Sequence, residues 1–290
     1  MSKILILGAS GMLGSAAMKV FAESDEHEAF GSIRSNAIKD LFHPRLRKQL
    51  LAIGDVENSD SLIKLFETVR PQVVINCIGL IKQLSSASDP ISAIPVNALL
   101  PHRIASLCGL AGARLVHIST DCIFSGKKGG YLESDAPDAE DVYGRSKLMG
   151  EVDYPHAITL RTSIIGRELA SANGLVDWFL RQQGTCKGYN KAIFSGLPTT
   201  ELAYVIRDYV LPRGDLRGLY HVASSPINKH ELLTMIASAY GKKIDIIQDP
   251  HLVIDRSLNA QRFKAATGYT PPPWPKLVEI MHSQEPSSHV

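Results

Sequence analysis

The sequence KILILGASGMLGSAAMKV, residues 3–20, decides the fold of this chain. It begins with a short apolar run, Ile4–Leu7, passes through a glycine-rich loop and continues in a segment with helical spacing. A glycine loop between a strand and a helix allows backbone N–H groups at the start of the helix to approach a pyrophosphate. We therefore predict a dinucleotide-binding crossover in which the cofactor contacts Gly8, Ser10, Gly11, Met12, Leu13 and Gly14.

The change from strand to helix recurs along the first half of the chain. In the segment Ser61–Val69, for example, Leu62, Leu65 and Phe66 follow the spacing of a helix with one buried face. Strands that alternate with helices favour right-handed crossovers and a parallel sheet. We predict an α/β fold with a doubly wound parallel sheet, built from the strands Ile4–Leu7, Glu28–Ile33, Leu50–Ile53, Val73–Cys77, Leu115–Ser119 and Ala157–Thr162.

The pattern changes after about Ile165, where short strands, helices and proline-rich segments follow one another less regularly. We predict helices at Gly174–Gln183, Glu201–Val210 and Lys229–Tyr240, and short strands at Leu219–Val222 and Ile244–Ile247. This pattern divides the chain into a dinucleotide-binding domain, residues 1–165, and a smaller α/β substrate-binding region, residues 166–290. Segments of the second part can also return to the first.

The composition indicates a globular protein that binds small molecules. Hydrophobic residues make up 44% of the chain and charged residues 21%, and the formal net charge of +2 comes from scattered side chains. Nucleic-acid binding is therefore not expected, because it needs a basic stripe. The four cysteines lack the spacing of metal ligands, and we expect no metal site. The apolar run Ile4–Leu7 is too short for a signal peptide or a membrane span, so we expect a cytoplasmic protein without a membrane partner.

Arg34 directly follows the second predicted strand, at the position where NAD-selective sites usually carry an acidic residue for the ribose 2′-OH. A guanidinium group can instead pair with a 2′-phosphate. We therefore expect NADPH as the cofactor, with NADH possible, although Arg34 is also compatible with a solvated surface side chain.

Two polar motifs lie between the fifth and the sixth predicted strands. Thr120 comes directly after the strand Leu115–Ser119, and Tyr143 and Lys147 stand four residues apart, so that on a helix they share one face. An ammonium group beside a phenol lowers the phenol pKa towards the range in which general acid–base catalysis works best. We predict that Tyr143 and Lys147 act together and that the Thr120 hydroxyl holds a substrate carbonyl.

Taken together, these motifs resemble the dTDP-4-dehydrorhamnose reductase family, in the extended branch of the short-chain dehydrogenase/reductase superfamily. The segments that carry the resemblance are GASGMLG (8–14), STDCIFSG (119–126), YGRSK (143–147), RTS (161–163) and DRSLN (255–259). The resemblance implies a Rossmann fold and an NAD(P)H-dependent oxidoreductase that reduces a 4-keto group on a nucleotide-linked 6-deoxyhexose. Thr120, Tyr143 and Lys147 match the catalytic residues of that family one for one.

The resemblance also implies further cofactor contacts. Residues that flank the adenine and the ribose in that family correspond to Asp55, Val56, Cys77, Ile78 and Gly79, while Tyr143 and Lys147 also lie against the cofactor. For Asp55 a second role is equally compatible with the sequence, because it could cap the helix that begins near Asn58.

Several residues depart from the pattern of that family. Cys122 stands where an aromatic residue is usual, Ile164 where a tryptophan is usual, and the segment Ile78–Gln83 replaces a stretch of small residues. These departures favour a substrate outside rhamnose synthesis. The chain is similar to reductases of UDP-linked 2-acetamido-2,6-dideoxy-L-hexos-4-uloses, which supply bacterial surface polysaccharides.

A nucleotide diphosphate substrate requires cations and hydrogen-bond donors. We expect Lys82 and Arg256, together with Thr120, to bind the substrate. Further candidates, for which a surface or packing role is equally compatible with the sequence, are Gln83, Arg167, Lys187 and Lys191 for polar contacts, and Trp178 and Tyr189 for stacking on the base.

Two other functions remain compatible with the sequence. A nucleotide-sugar epimerase or dehydratase would use the same tyrosine and lysine with tightly bound NAD, but dehydratases commonly carry a glutamate where Cys122 stands. A non-catalytic NADP-binding subunit is the second, since the regulatory β subunit of methionine adenosyltransferase resembles the same family. A homodimer is possible.

Overall fold

A computed structural model describes residues 1–82 and 85–283 of the chain. Its strands, numbered in chain order, are β1 (Ser2–Leu7), β2 (His27–Ile33), β3 (Leu50–Ala52), β4 (Val73–Asn76), β5 (Arg114–Thr120), β6 (Ala157–Thr162), β7 (Ile164–Ile165), β8 (Thr185–Tyr189), β9 (Ala192–Phe194), β10 (Leu197–Pro198), β11 (Gly218–His221), β12 (Ile227–Asn228), β13 (Asp245–Asp249) and β14 (Ile254–Asp255).

The α-helices, also in chain order, are α1 (Met12–Ala22), α2 (Ser59–Val69), α3 (Pro90–Ala93), α4 (Leu100–Ala111), α5 (Val142–Met149), α6 (Leu175–Arg181), α7 (Thr199–Val205), α8 (Lys229–Ala239), α9 (Gln261–Thr267) and α10 (Trp274–Ser283). Short π-helical turns cover Ile94–Leu99 and Ile206–Val210, and short 3₁₀ turns cover Asn36–Leu41, Pro44–Gln49, Ser85–Ser88 and Asp121–Ile123.

Seven parallel strands of the described chain form the main sheet, in the order β11-β6-β5-β4-β1-β2-β3. The order reverses direction at β1, which lies between β4 and β2. The sheet is therefore doubly wound, and its switch point lies where the glycine loop leaves β1, which is where ligands of such folds bind. The predicted fold class is confirmed.

The residues of β1 show how the sheet is held between two helical layers. Successive side chains of a strand point to opposite faces, and Ile4 and Ile6 belong to one buried cluster while Leu5 and Leu7 belong to another. All four side chains are fully buried. A continuous apolar run of this kind is what a central parallel strand requires, because helices cover both of its faces.

The glycine loop connects β1 to α1 in very little space. Gly8 has a positive φ of 77°, a conformation that strains any residue with a side chain. A Cβ atom added to Gly14 would lie 2.1 Å from the carbonyl oxygen of Gly8, so only glycine lets the first turn of α1 pack against the end of β1. Gly14 thus serves the packing of the crossover.

The second half of the chain contributes to both parts of the fold. The predicted strand near Leu219–Val222 is β11, which pairs in parallel with β6 at the edge of the main sheet. The remaining strands of this half form small sheets with β7, in the orders β10-β7, β12-β9-β14 and β13-β8. The predicted helix Glu201–Val210 is α7 continued by the π-helical turn Ile206–Val210. Within the described residues, no helix is long and apolar enough to cross a membrane.

Candidate active site

Two connected cavities open at the carboxyl ends of the main strands. The larger has a volume of about 540 Å³ and the smaller about 230 Å³. Both are lined by the glycine loop and by the turn that follows β4, through Ser10, Gly11, Cys77, Ile78 and Gly79. The two cavities therefore form one cleft that passes over the start of α1.

The start of α1 offers free backbone donors to this cleft. Gly11, the residue before the helix, has no side chain to accept from the first turn, and that turn contains no acidic residue. Within the described chain, the N–H groups of Met12 and Leu13 have no hydrogen-bond acceptor, and both residues line the larger cavity. Unpaired N–H groups and the helix dipole together favour an anion at this position.

The smaller cavity brings together the residues that follow β2 and β3. Gly8, Arg34, Asp55 and Val56 line it. Arg34 is exposed, and its guanidinium group makes no ion pair with any described residue. Asp55 does not cap α2: its carboxylate accepts from the N–H of Glu57 at 2.9 Å.

The α2 cap is instead Asn58, the residue immediately before the helix. Its side chain accepts from the N–H groups of Asp60 and Ser61 at 2.9 and 3.1 Å. An asparagine at this position satisfies donors that the helix leaves unpaired. The capping role considered for Asp55 is therefore wrong, and its side chain is left beside the smaller cavity.

The predicted catalytic residues meet in the larger cavity. Tyr143 and Lys147 lie one turn apart on α5 and line the cavity together with Thr120, which ends β5. Helix α5 packs closely against the turn after β5. A Cβ atom added to Gly144 would lie only 2.4 Å from the carbonyl oxygen of Cys122. The helix therefore rests directly on the turn that follows Thr120.

Burial shifts the pKa values of the tyrosine and the lysine in opposite directions, because it favours the neutral form of each group. Burial lowers the pKa of Lys147 to about 8, and its Nζ donates to the carbonyl oxygen of Ile118 at 2.8 Å. Burial also raises the pKa of Tyr143, and the nearby Thr120 hydroxyl group offsets only part of that rise. The net shift is therefore opposite to the predicted lowering of the phenol pKa, because burial outweighs the effect of the cation, and Tyr143 keeps its proton at neutral pH.

Asn97 is a buried polar residue of this site that the sequence motifs did not reveal. Its Oδ1 accepts from the N–H of Leu80 at 2.9 Å, and its Nδ2 lies 3.2 Å from Ser146 Oγ. Ser146 Oγ in turn donates to the carbonyl oxygen of Tyr143 at 2.9 Å. Asn97 thus ties the turn after β4 to α5. It lies within a π-helical turn, which no local sequence pattern predicts.

A buried ion pair lies beneath the catalytic residues. Arg161 on β6 donates from Nε and Nη2 to the two carboxylate oxygens of Glu151, both at 2.7 Å. Ser119 Oγ donates to the same carboxylate at 2.6 Å. Because Ser119 precedes Thr120 and Glu151 follows α5, this pair fixes the strand that carries Thr120 relative to the helix that carries Tyr143.

The two cations expected to bind the substrate both lie at the larger cavity but have different partners. Lys82 and Arg256 both line the larger cavity. Lys82 makes an ion pair with Asp141, the residue that caps α5, at 2.6 Å. Arg256 donates from Nε to the carbonyl oxygen of Phe124 at 2.7 Å. Gln83 lies outside the described residues.

The other candidates lie away from the cavity wall. Arg167 forms an ion pair with Asp177, and Lys187 forms one with Asp249 at 3.0 Å. Neither residue lines the larger cavity, and the same is true of Trp178, Tyr189 and Lys191. A cation that the sequence did not suggest, Lys229 at the start of α8, does line it. Within the described chain, no group of three or more His, Cys, Asp and Glu side chains could hold a metal ion.

The sequence of this chain is similar to those of known proteins. "Methionine adenosyltransferase 2 subunit beta" of Danio rerio is 29% identical over 252 residues, which cover 82% of this chain and 74% of that protein. "dTDP-4-dehydrorhamnose reductase" of Mycobacterium tuberculosis is 29% identical over 204 residues, 63% of this chain and 60% of that protein. The match thus spans less than two thirds of the Mycobacterium protein.

The fold also matches a solved structure. The crystal structure of dTDP-4-dehydrorhamnose reductase from Bacillus anthracis in complex with NADP has a TM-score of 0.78 to this chain, at 21% identity, and the match covers 98% of each chain. The sequence profile of the RmlD substrate-binding domain matches residues 2–274, which is nearly the whole chain. The chain therefore belongs to the RmlD substrate-binding domain family.

Proposed function

We propose that this protein is an NADPH-dependent reductase of a nucleotide-linked 4-keto-6-deoxy sugar. The observation that carries the proposal is the meeting of Thr120, Tyr143 and Lys147 in a cavity that continues over the glycine loop. A proton donor, a buried cation and a hydroxyl group beside a dinucleotide cleft are the groups that carbonyl reduction needs.

The residues of the cleft fit a dinucleotide. The free N–H groups of Met12 and Leu13 would hold the pyrophosphate, and the apolar side of the smaller cavity, formed by Ile53, Val56 and Val96, would hold the adenine. When bound, NADPH supplies a hydride from its nicotinamide ring to the carbonyl carbon. The turn Cys77–Gly79 would line the path between these two ends, since it borders both cavities.

Tyr143 is the proton donor in this proposal. As the carbonyl carbon gains a hydride, its oxygen gains negative charge and takes the phenol proton, which leaves a tyrosinate that is reprotonated from solvent. The raised pKa of Tyr143, caused by burial, keeps the proton in place until that charge develops. Thr120 would hold the carbonyl oxygen within reach, and the Lys147 ammonium would stabilise the tyrosinate.

We expect the rate to fall on the alkaline side as Lys147 loses its proton. Lys147 is charged below its pKa of about 8 and neutral above it. The value of kcat/KM for NADPH reports groups of the free enzyme, so it should decline as the pH rises through that value. Initial rates across a pH series measure this, with Lys187→Gln as a control that keeps the same decline. A flat alkaline profile would show that Lys147 is not required in its charged form.

Arg34 is expected to select NADPH over NADH. Its guanidinium group lies at the smaller cavity with no ion-pair partner among the described residues, and it would pair with the 2′-phosphate. Replacing Arg34 with Ala should raise the KM for NADPH about tenfold or more and leave that for NADH nearly unchanged, because a charge-assisted hydrogen bond contributes about 1.5–3 kcal/mol. Equal efficiency with both cofactors in the unchanged protein, unaffected by the substitution, would refute this role.

We further propose that the sugar is a UDP-linked 2-acetamido-2,6-dideoxy-L-hexos-4-ulose, used for surface polysaccharide precursors. Cys122 and Ile164, which replace larger aromatic residues, both line the larger cavity and would leave room for an acetamido group. Residues 166–290 would supply the substrate side of the site, through Arg256, while residues 1–165 would bind the cofactor.

The experiment that tests the proposed function is a substrate panel. The purified full chain is incubated with NADPH and with UDP- and dTDP-linked 4-keto-6-deoxyhexoses, and NADPH consumption is followed by absorbance. We expect consumption with at least one UDP-linked sugar. Conversion without added cofactor would favour an epimerase or dehydratase. A stable complex with an unrelated catalytic chain, without consumption of NADPH, would favour a non-catalytic subunit; the relative from Danio rerio is named as a subunit.

A further inference from the structure

The larger cavity has more positive than negative side chains in its wall. Among the described residues that line it, the cations are Lys82, Lys147, Lys229 and Arg256, and the carboxylates are Asp121 and Glu168. Glu168 is occupied by hydrogen bonds from Ser171 and Asn173 in its own loop. The cavity wall is therefore suited to an anionic ligand.

Two of these cations already have a partner or a role. Lys82 forms the ion pair with Asp141, and Lys147 belongs to the catalytic group. The other two, Arg256 and Lys229, come from the second half of the chain, and we call them the cation pair. They lie close enough to interact electrostatically with each other and with Asp121.

The hydrogen-bonding capacity of the cation pair is largely unused. Arg256 donates from Nε to Phe124, which fixes the plane of the guanidinium group, while its two terminal nitrogens have no acceptor among the described residues. Lys229 makes no hydrogen bond or ion pair with any described residue, although burial lowers its pKa. A lysine that is partly buried without a paired carboxylate is costly unless a ligand supplies the negative charge.

The surrounding backbone holds Arg256 firmly at the cavity. The N–H of Asp255 donates to the carbonyl oxygen of Gly126, and the N–H of Tyr131 donates to that of Ser257, which joins the segment around Arg256 to the loop that follows Thr120. Gly126 has a positive φ of 86°, and a Cβ atom there would lie 2.4 Å from Ile254 Cγ1 and 3.1 Å from Arg256 Cγ. This close approach sets the position of the arginine.

We propose that Lys229 and Arg256 together bind the diphosphate group of the substrate, and that Lys229 is a specificity-determining residue for nucleoside diphosphates. The proposal rests on the reductase function proposed above and names the part of the substrate that the second half of the chain recognises. Two cations match the two negative charges of a diphosphate diester. The free fork of Arg256 would pair with two phosphate oxygens, while Lys229 would act as a point charge.

The sugar ring joins the diphosphate directly to the reacting carbonyl. The cation pair interacts with Asp121, which follows Thr120, so a diphosphate held there would lie beside the residues that act on the sugar. The single carboxylate of Asp121 carries at most one negative charge, so it does not neutralise both cations. We therefore expect free keto sugars, which lack the diphosphate, to bind poorly.

The test is calorimetric titration of the NADP⁺-saturated protein with UDP, dTDP, UMP and uridine. Saturation with NADP⁺ blocks the cofactor cleft, so the probes report on the substrate side. The unchanged protein should bind the diphosphates more tightly than UMP, and uridine least. Lys229→Gln and Arg256→Gln should each weaken diphosphate binding about tenfold or more, the effect of one charge-assisted hydrogen bond, and affinity should fall as salt rises.

Lys229→Arg and Lys187→Gln are the matched controls. The first keeps the positive charge and should retain most of the affinity, which also separates loss of charge from loss of folding. The second removes a lysine that pairs with Asp249 away from the cavity, and it should bind like the unchanged protein. Diphosphate affinities that are unchanged in folded Lys229→Gln and Arg256→Gln proteins would overturn the proposal.

The substrate panel separates this inference from the proposed function. If a nucleotide-linked keto sugar is reduced and its KM is unaffected in Lys229→Gln, the reductase proposal stands and the role of the cation pair is wrong. If UDP binding depends on Lys229 but no keto sugar consumes NADPH, the diphosphate site stands as a binding site and the reductase proposal is wrong.

Discussion

Replacing Tyr143 with Phe should lower kcat for the reduction about 10²–10⁴-fold, the usual contribution of a positioned general acid. Phenylalanine keeps the ring and loses only the hydroxyl group, which burial keeps protonated and which interacts with Thr120. The reaction would then lose its phenolic proton donor, and the hydroxyl that remains beside the carbonyl oxygen, that of Thr120, is a weaker acid than a phenol. Steady-state rates with NADPH and the preferred keto sugar measure the loss.

Two further measurements show whether the loss of rate comes from the missing proton donor. The dissociation constant for NADPH should change far less than kcat in Tyr143→Phe, because the aromatic ring stays in place against the cofactor and the phenol is not proposed to hold the pyrophosphate or the 2′-phosphate. Tyr154→Phe is the matched control, because the Tyr154 hydroxyl contacts His102 at 3.1 Å and does not line either cavity. The mechanism would be refuted by normal turnover in Tyr143→Phe.

Replacing Glu151 with Ala should lower the free energy of unfolding by about 3–5 kcal/mol, the cost of leaving one partner of a buried ion pair alone. The Arg161 and Glu151 side chains are only 5% and 12% exposed, so water cannot replace the lost carboxylate around the guanidinium group. Because a domain of ordinary stability has about 5–15 kcal/mol in total, this single change should remove a large share of it.

Denaturant unfolding of Glu151→Ala and of Glu140→Ala checks this prediction. Glu140 also forms an ion pair, with Lys127, but both side chains are 77% exposed, and exposed pairs contribute about 0–1 kcal/mol. The two substitutions therefore remove the same group from opposite environments. Similar small losses in both proteins would contradict the role assigned to the buried pair.

The crossover could be predicted from sequence because its signals are local. Its three parts are adjacent in the sequence: the apolar run Ile4–Leu7, the three glycines and the helical segment that follows. Few other structures need these three features in this order. The same holds for Tyr143 and Lys147, since one helical turn brings them together. Gly14 was also predicted as a cofactor contact, but its lack of a side chain serves helix packing and it lines neither cavity.

Features that depend on distant parts of the chain could not be predicted. The strand β11 is short, and nothing in its sequence indicates that it completes the main sheet beside β6. Asn97 reaches the turn after β4, and Lys229 reaches the larger cavity, only through the path of the folded chain. The pKa of Tyr143 was predicted in the wrong direction because the spacing to Lys147 revealed the cation but not the burial, which outweighs it.

The most direct test of the central claim follows the hydride itself. NADPH with deuterium at both C4 positions of the nicotinamide ring is supplied to the full chain with a UDP-linked 2-acetamido-2,6-dideoxy-L-hexos-4-ulose, and the product is analysed by mass spectrometry and NMR. We predict one deuterium per product molecule, bound to C4 of the sugar, with one NADPH consumed for each. A product without deuterium, or no reduction of any nucleotide-linked 4-keto-6-deoxyhexose, would contradict the proposed reductase.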